Sequence, residues 1–377
     1  MQTNLAYKYR IYPTSEQKEL LGKHFGCVRF VWNYFLNERK EYYLNNKEGI
    51  EAKRIKGNLN YYDNAKQLTL LKGEREWLKE SNSQSLQASL KHLDSAYRMF
   101  FRKIHAFPNF KSKDSKQSFT IPQHFKLEGG KIYFPKFNKG IKVKEHRKLE
   151  GEFVVATLSK TTTNKYYISI IVEKDVESLQ TTNKSIGIDL GIKDLITCSD
   201  SKKYQNIRSL SCLENKLKHK QKQLSKKIKG SNNRKKAKHK VAVVHETIKN
   251  TRIDHIHKIT KAIVNENQVI VAEDLNVKGM MRNHKLAKAI SDVAWHEIHR
   301  QLEYKSKWNG RTYSTIDRFF PSSKMCNSCN FVNRELTLKN RTWNCPSCNT
   351  ELDRDLNASI NILNQGLNNL QAVGTTV

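Results

Sequence analysis

Four cysteines near the end of the chain constrain its fold more than any other feature. Cys326 and Cys329 are separated by two residues, as are Cys345 and Cys348, and fifteen residues lie between the two pairs. Two such knuckles can place four thiolates at the corners of a tetrahedron around one Zn²⁺. Because the protein supplies all four ligands, no position remains for water, and the predicted role of this zinc is structural.

Two disulfide bonds are the alternative use of these cysteines. The other three, Cys27, Cys198 and Cys212, are scattered single residues. The polar opening MQTNLAYKYR does not resemble a signal peptide, and no apolar run approaches the roughly 18 residues of a membrane span. We therefore expect a cytoplasmic, nucleoid-associated protein of a prokaryotic cell with no membrane partner, in which cysteines stay reduced and zinc is favoured over disulfides.

The net charge of the chain predicts a polyanionic partner. Lys and Arg number 68 against 36 Asp and Glu, which gives a formal charge of +32. Residues 216–240 hold twelve Lys or Arg and no acid, with Leu217, Leu224 and Ile228 at helical spacing. A charge run is usually a solvated helix face, but the absence of any acid favours a helix that contacts phosphates. A ribosomal or membrane-surface protein is the alternative.

The first half of the chain combines one strand, a helical stretch and a β-rich stretch. Residues 4–12 alternate polar and apolar and stop at Pro13, the pattern is helical from 14 to about 47, and a helix over 83–103 has an apolar stripe. Short β-like runs follow between 108 and 175. Because one strand precedes the helices and the others follow them, we predict a discontinuous barrel with the helices inserted. The stripe consists of Leu86, Leu90, Leu93, Tyr97 and Phe100.

The second half alternates strands and helices, which predicts an α/β sheet. After a polar linker at 181–185 come the apolar runs SIGIDLGI and VIVAEDL, a helix near 287–306 and the strand RTYSTID at 311–317. The chain after about residue 365 is expected to be frayed.

Three acids in this second half are the candidate catalytic groups. Asp189 lies in SIGIDLGI and Glu273 in VIVAEDL, where an unpaired carboxylate carries a high desolvation cost unless a cation compensates it. Asp274 should point to the opposite face of its strand. Asp355 opens the helix DLNASINIL, a position that an ordinary helix-terminal acid also takes. Together the three could bind two Mg²⁺ about 3.5–4 Å apart and hydrolyse a phosphodiester.

Several strings in the right order resemble the TnpB (OrfB) family of transposon-encoded RNA-guided nucleases, which is related to compact type V CRISPR effectors. They are GIDLGIKDLIT, VIVAEDLNVKGM, WHEIHRQLEYKSKWNGR, FFPSSKMCNSCN, WNCPSC and LDRDLNASINIL, with YKYRIYPTSEQKELL, FGCVRFVWN, LKESNSQSLQASLKHLDSAYRMFFR and FPNFKSK nearer the N-terminus. The resemblance covers nearly the whole chain. It implies a wedge-like β barrel from 1–13 and 106–180, an inserted helical recognition domain at 14–105, and a RuvC-like domain of ribonuclease H fold at 181–377 with a zinc ribbon inserted at 322–352.

The resemblance also implies roles for residues and partners. The acids of the RuvC motifs fall on Asp189, Glu273 and Asp355, the last being the second acid of LDRD rather than Asp353. A guide RNA from the transposon end and double-stranded target DNA with a short target-adjacent motif are the implied partners, and the element's own transposase is a further one. Motif readout is implied for five residues, some of which are equally explained as helix-surface glutamines: Tyr61, Ser83, Gln84, Gln87 and Gln123.

Two other functions remain open from the sequence. A nuclease-inactive, RNA-guided DNA-binding repressor of the same architecture would have at least one of the three acids replaced, and all three are present. A transposase that joins DNA ends could use the same two-metal chemistry.

Overall fold

The computed structural model of the protein describes residues 2–52, 54, 57–114, 116–337 and 340–372. It divides into two compact units, Gln2–Asp175 and the chain from Val176 onward. Among the described residues, no helix is long and apolar enough to cross a membrane.

A seven-stranded antiparallel sheet forms the framework of the first unit. Its strands are β1 (Gln2–Tyr12), β2 (Gln117–Ile121), β3 (Lys126–Glu128), β4 (Lys131–Tyr133), β5 (Ile141–Lys144), β6 (Glu152–Lys160) and β7 (Tyr166–Asp175). They follow the order β2-β6-β7-β1-β5-β4-β3, so β1 lies inside the sheet between two strands that come after the helices in the chain. The predicted barrel was wrong in its closure: β2 and β3 are opposite edges, and no pairing joins them in the described part of the chain.

Helices of this unit share a core with the sheet. The helices are α1 (Ser15–Asn45), α2 (Lys47–Glu51), α3 (Tyr61–Glu74) and α4 (Ser83–Phe101), with a 3-10 helix at Glu76–Glu80 before α4. Two of them, α1 and α4, contact β2. Thr14 begins α1 with a capping box, in which its hydroxyl accepts from the Gln17 backbone and the Gln17 side chain accepts from the Thr14 backbone. The predicted stripe of α4 is buried from Leu86 to Tyr97, whereas Phe100 is only half-buried.

The second unit contains a five-stranded mixed sheet and a small hairpin. The sheet consists of β8 (Ser185–Asp189), β9 (Asp194–Cys198), β10 (Lys203–Gln205), β11 (Val269–Glu273) and β12 (Thr312–Ile316), and the hairpin of β13 (Thr342–Asn344) and β14 (Glu351–Asp353). In the order β10-β9-β8-β11-β12, the first three strands are antiparallel neighbours, and β11 runs parallel to both β8 and β12. The carboxyl ends of β8, β11 and β12 therefore meet at one edge of the sheet.

The helices of this unit are α5 (Ser209–Ser225), α6 (Asn232–Glu266), α7 (Val277–Met280), α8 (Ala287–Val293), α9 (Trp295–Trp308) and α10 (Arg354–Ala372). The sequence predicted one helix in the basic region 216–240, and this was wrong. The region instead forms the turn and the adjoining ends of an α5–α6 hairpin, whose two helices share a small apolar seam. Arg234 closes the turn by donating to the Leu224 oxygen at 3.1 Å and the Lys227 oxygen at 2.8 Å. The basic residues thus line both arms of a hairpin.

Two further expectations about helices were wrong. The single helix expected near 287–306 is broken into α8 and α9 at Ala294, whose φ of 54° and ψ of 47° are left-handed and end the first helix. The expected fraying after residue 365 does not occur before Ala372, because α10 packs its last turns on the sheet through Leu367 and Leu370.

The helix α10 lies unusually close to the sheet, and two glycines make this possible. A Cβ atom at Gly187 of β8 would come within 2.1 Å of the Ser359 oxygen, and one at Gly366 of α10 would come within 2.2 Å of the Val271 side chain. Any larger side chain at either position would push the helix away. The glycines therefore fix the helix over β8 and β11.

Candidate active site and zinc centre

The three candidate acids converge because of strand pairing and the placement of α10. Ile188 of β8 is the register partner of Ala272 of β11, so the next residues, Asp189 and Glu273, end two adjacent parallel strands. Side chains alternate along a strand, so Asp189 shares the face of Gly187, which lies against α10.

The same argument brings in the other two acids. Glu273 shares the face of Val271, which contacts α10 at Gly366. On α10, Asp355 is one turn before Ser359, the residue that lies against Gly187, so its carboxylate projects from the same helix face. Three carboxylates thus meet at the carboxyl edge of the sheet.

The electrostatics of this edge show that the carboxylates influence one another. Burial, with the neighbouring charges of Asp355 and Glu273, raises the pKa of Asp189 to about 7. Burial also raises the pKa of Glu273, although the Ser322 hydroxyl donates a hydrogen bond to its Oε1 at 3.3 Å and works in the opposite direction. Because burial disfavours the ionised forms of Asp189 and Glu273, a bound cation would stabilise their charged state.

Asp355 has counter-charges of its own. The Arg341 guanidinium lies 3.1 Å from its Oδ2, and Nε of Arg354 lies 3.8 Å from its Oδ1.

The carboxylate oxygens of the three acids do not all lie within 4.8 Å of one another. Among the described residues, only the four clustered cysteines have their ligand atoms that close together. The sequence analysis missed Arg341, and nothing in a single surface arginine distinguishes it from the 67 other basic residues.

Asp353 and Asp274, the acids adjacent to the site in sequence, have other partners. Asp353 caps α10 by accepting from the backbone nitrogens of Asp355 and Leu356, both at 3.0 Å, and it binds Lys203 of β10 at 2.9 Å. Asp274 follows the end of β11 and pairs with Arg318. Neither carboxylate is therefore available to the site in the way that Asp189 is.

The four clustered cysteines have the geometry of a zinc centre. Their sulfur atoms all lie within 4.8 Å of one another, with 3.7 Å between Cys326 and Cys348 and 3.5 Å between Cys329 and Cys345. Zn–S bonds of about 2.3 Å place the sulfurs of a tetrahedral site about 3.8 Å apart. No disulfide joins any of the four. Hydrogen bonds from Thr350 lower the pKa of the Cys348 thiol and favour its thiolate, whereas hydrogen bonds among the clustered sulfurs raise the pKa of Cys329.

Each knuckle turns back at an asparagine. Asn330 and Asn349 follow the second cysteine of their pairs and have φ angles of 62° and 57°, in the left-handed region. Their backbone nitrogens donate to the carbonyls of Cys326 and Cys345, both at 2.9 Å. Asparagine takes this conformation more readily than other residues with a side chain, so it serves here where glycine is usual.

Two buried asparagines of α10 attach the first knuckle to the helix that carries Asp355. The Asn357 amide donates to the Met325 oxygen at 2.7 Å and its oxygen accepts from the Asn327 backbone at 2.9 Å. Asn361 donates to the Ser322 oxygen at 2.8 Å and the Met325 oxygen at 2.6 Å. The sequence contains a signal for these contacts, because Asn357 and Asn361 are spaced by four on an apolar helix face. Buried polar side chains need hydrogen-bond partners.

The residues implied as DNA contacts lie on the first unit, around the start of α4. Gln84 donates to the side chain of Gln123 at 3.3 Å, and Ser83 beside it accepts from Lys72 at 2.8 Å. Gln87 is exposed one turn along α4. Tyr61 begins α3, and the ammonium of Lys91 lies 5.5 Å from its ring centre. Gln84 and Gln123 are therefore in direct contact, and Tyr61 is linked to the same helix through Lys91.

Three protein-family models match separate parts of the chain. A helix-turn-helix domain matches residues 1–48, a probable transposase matches residues 168–284, and a Cas12f1-like TNB domain matches residues 295–362. Over the first of these spans, the described residues form β1, the long helix α1 and the first residues of α2. The third includes the zinc centre and Asp355.

Relatives match over nearly the whole chain. A protein of Streptomyces pristinaespiralis named "Putative RNA-guided DNA endonuclease" is 39% identical over 97% of this chain and 90% of its own length. InsQ of Escherichia coli, described in the same words, is 32% identical over 96% of this chain and 92% of its own. The Cas12f1 chain of a Cas12f1–sgRNA–target DNA complex is 12% identical, with a TM-score of 0.55 over 96% of this chain and 98% of its own. At that identity the last match shows a shared fold alone.

Proposed function

Because this chain belongs to the TnpB (OrfB) family, we propose that it is an RNA-guided DNA endonuclease encoded by a transposable element. In this proposal it cleaves phosphodiester bonds of target DNA beside a short target-adjacent motif. Two relatives that match over nearly its whole length are named as putative RNA-guided DNA endonucleases.

One observation carries the proposal. Asp189 and Glu273 end adjacent parallel strands, and Asp355 projects from the helix that lies over those strands. All three acids are retained, which favours a nuclease over a nuclease-inactive repressor. The strand order β10-β9-β8-β11-β12 supports the ribonuclease H-like, RuvC-type fold that the resemblance implies.

Two Mg²⁺ ions and one Zn²⁺ ion are the proposed cofactors. Carboxylate oxygens are the ligands that Mg²⁺ prefers, and burial together with the charges of Asp355 and Glu273 raises the pKa of Asp189, so a cation there would favour its ionised form. When bound by Asp189, Glu273 and Asp355, the metal ions would supply an activated water and stabilise the leaving oxygen. The protein's own residues orient this site, because Asp353 fixes the start of α10 and Ser322 holds Glu273. Cys326, Cys329, Cys345 and Cys348 hold the zinc.

We propose that different parts of the chain have different functions. The pairing of β1 with β5 and β7 supports a wedge-like sheet interrupted by a helical domain. The neighbouring side chains at the start of α4 support DNA-motif readout there, because glutamine can bond bidentately to adenine in the major groove. The basic α5–α6 hairpin, within a chain of charge +32, fits phosphate contacts with two nucleic acids. The proposed domains are the wedge-like sheet at 1–13 and 106–180, the helical recognition domain at 14–105, and the RuvC-like nuclease domain at 181–377 with its zinc ribbon at 322–352.

Replacing Arg341 by alanine should lower the maximal cleavage rate by about 10- to 100-fold. Its guanidinium, 3.1 Å from Asp355 Oδ2, is placed to stabilise charge that develops on the scissile phosphate. The Mg²⁺ concentration for half-maximal rate should fall at the same time, because the ion pair competes with the metal for Asp355. Single-turnover cleavage across a Mg²⁺ titration measures both, and Arg341→Lys should retain part of the rate. An unchanged rate with unchanged Mg²⁺ dependence would exclude this role.

The proposed function is tested by expressing the protein together with the DNA that flanks its coding sequence and sequencing any RNA that copurifies. The complex is then given a plasmid matched to that RNA. We expect a bound RNA and Mg²⁺-dependent cutting that Glu273→Gln, which keeps the size of the side chain, abolishes. If no RNA copurifies and the variant cuts as well as the wild type, the proposal fails.

Two outcomes would favour the alternatives. A complex that binds its RNA and the matched plasmid but cuts under no condition would favour the repressor. Joining of DNA ends in an RNA-free strand-transfer assay would favour the transposase.

A further inference from the structure

A phenylalanine is exposed to solvent on the loop that follows β12. Phe319 is 85% exposed, the highest value among the exposed large hydrophobic residues in the described part of the chain. The next residue, Phe320, packs against the cluster formed by Val269, Val271, Ile316 and Ile362. Of two adjacent phenylalanines, one is therefore buried and the other is left in water, where its apolar surface is unfavourable.

The loop that carries Phe319 is attached at both ends to the position of Glu273. It leaves β12 at Ile316, which is the register partner of Glu273 in the parallel pair. It reaches Ser322, whose hydroxyl donates to the Glu273 carboxylate at 3.3 Å. Phe319 is three residues from each of these two points, and three residues span at most about 11 Å. The backbone of Phe319 therefore lies within about 11 Å of both points.

The loop is held in place by its own hydrogen bonds. The backbone nitrogen of Phe319 donates to Asp317 Oδ1 at 2.7 Å, and that of Phe320 donates to the Asp317 oxygen at 3.2 Å. The Pro321 oxygen accepts from the backbone nitrogens of Lys324 and Met325, at 3.0 and 2.9 Å. The exposure of the ring is thus a feature of an ordered turn.

Cations occur next to Phe319 in the chain and at one of the three acids. Arg318, the preceding residue, is held by Asp274 and its side chain remains 42% exposed. Arg341 and Arg354 both lie within ion-pair distance of Asp355. An exposed aromatic ring on a loop that also carries Arg318 suits a ligand that has a flat apolar face and a phosphate, and a nucleotide has both. A protein partner is less well matched, because one exposed ring is far smaller than a stable apolar interface.

We propose that Phe319 is a positioning residue that stacks on an unpaired nucleobase of the DNA strand held at Asp189, Glu273 and Asp355. The proposal rests on the proposed nuclease function and deepens it. Bases of a duplex are covered by their neighbours, so stacking requires the strand to be single at this point. Every base has an aromatic face, so the contact is independent of sequence and fixes the backbone next to the phosphate that is cut.

The cleavage test compares the wild-type complex with Phe319→Ala, Phe319→Tyr and Phe319→Leu on a matched target. Loss of one aromatic–base stack should lower the single-turnover rate by roughly 5- to 150-fold in the alanine variant. The leucine variant should resemble alanine, and tyrosine should stay within about twofold of wild type. A series of targets, each with one abasic nucleotide near the cut, should contain one position at which the wild type slows by a similar factor and the alanine variant is indifferent.

A second readout does not depend on cutting. Single strands carrying 2-aminopurine, whose fluorescence falls when it stacks, are bound to the protein in Mg²⁺-free buffer. We expect quenching with wild type and Phe319→Tyr and much less with Phe319→Ala and Phe319→Leu, at equal thermal stability.

The outcomes separate the two proposals. Equal quenching by all four proteins, equal cleavage by wild type and alanine, or full rescue by leucine would each overturn the stacking role. A protein that cuts nothing but shows quenching that depends on the aromatic ring would overturn the nuclease function and leave the stacking role supported.

Discussion

Replacing Asp189 by asparagine should abolish DNA cleavage, with a loss of at least about 10³-fold, while RNA binding remains. Asp189 ends the central strand β8 and its pKa responds to both other acids, so it is the carboxylate most closely coupled to the site. Asparagine keeps the shape of the side chain but offers no negative charge to a metal. Single-turnover cleavage at saturating Mg²⁺ and an RNA-binding titration measure the two effects. A variant that cuts within tenfold of wild type would contradict the assignment.

The same substitution should make the metal-free protein more stable. Because the pKa of Asp189 is raised from 3.8 to about 7, its ionisation destabilises the fold. This destabilisation is absent below about pH 4, grows as the pH rises from about 4 to about 7, and is complete above about pH 7. Asp189→Asn should therefore add about 2–4 kcal/mol to the free energy of unfolding at pH 8, and about half of that at pH 5. Urea unfolding in Mg²⁺-free buffer at the two pH values measures the difference, and Mg²⁺ should stabilise only the wild type.

Replacing Cys345 by serine should remove the zinc and, with it, at least about 100-fold of the cleavage activity. Cys345 is fully buried in the small cluster with Leu336, Trp343 and Leu352, and zinc binding contributes several kcal/mol to the folding of such sites. The first knuckle also holds Asn357 and Asn361 of α10, so its collapse should loosen the helix that carries Asp355. Zinc content by mass spectrometry, thermal unfolding and cleavage at high Mg²⁺ measure the effect.

Cys212→Ser is the matched control for this prediction. Cys212 is exposed on α5 and lies outside the cluster. Its replacement should leave one zinc per chain and an unchanged cleavage rate. Full zinc content and wild-type cutting in Cys345→Ser would show that the cluster does not bind zinc through that sulfur, or that the zinc does not support the site.

Local patterns in the sequence predicted the elements that carry the site. The apolar runs around Asp189 and Glu273 are β8 and β11, and each acid stands at the end of its strand. The cysteine spacing predicted four sulfurs that come together, and the asparagines after each pair take the left-handed turn. These features depend on neighbours within a few residues, so a sequence contains them directly.

What the sequence did not predict depends on contacts between distant residues. The pairing of β8 with β11 brings Asp189 beside Glu273 across some eighty residues, and no local pattern specifies that register. The break at Ala294 is imposed by packing, since neither Gly nor Pro marks it. The α5–α6 turn did have a local signal, Gly230-Ser231 within the basic region, but a charge count over the whole region concealed it.

The open edge at β3 bears on how the chain avoids aggregation. A free sheet edge presents unpaired backbone groups on which another molecule can add a strand. Here the edge strand has only three residues, and its two outward side chains, Lys126 and Glu128, form an ion pair at 2.7 Å. A second copy would have to disrupt that pair and could gain only a few backbone hydrogen bonds. The short, charged strand β3 therefore gives another chain little to pair with at that edge of the sheet.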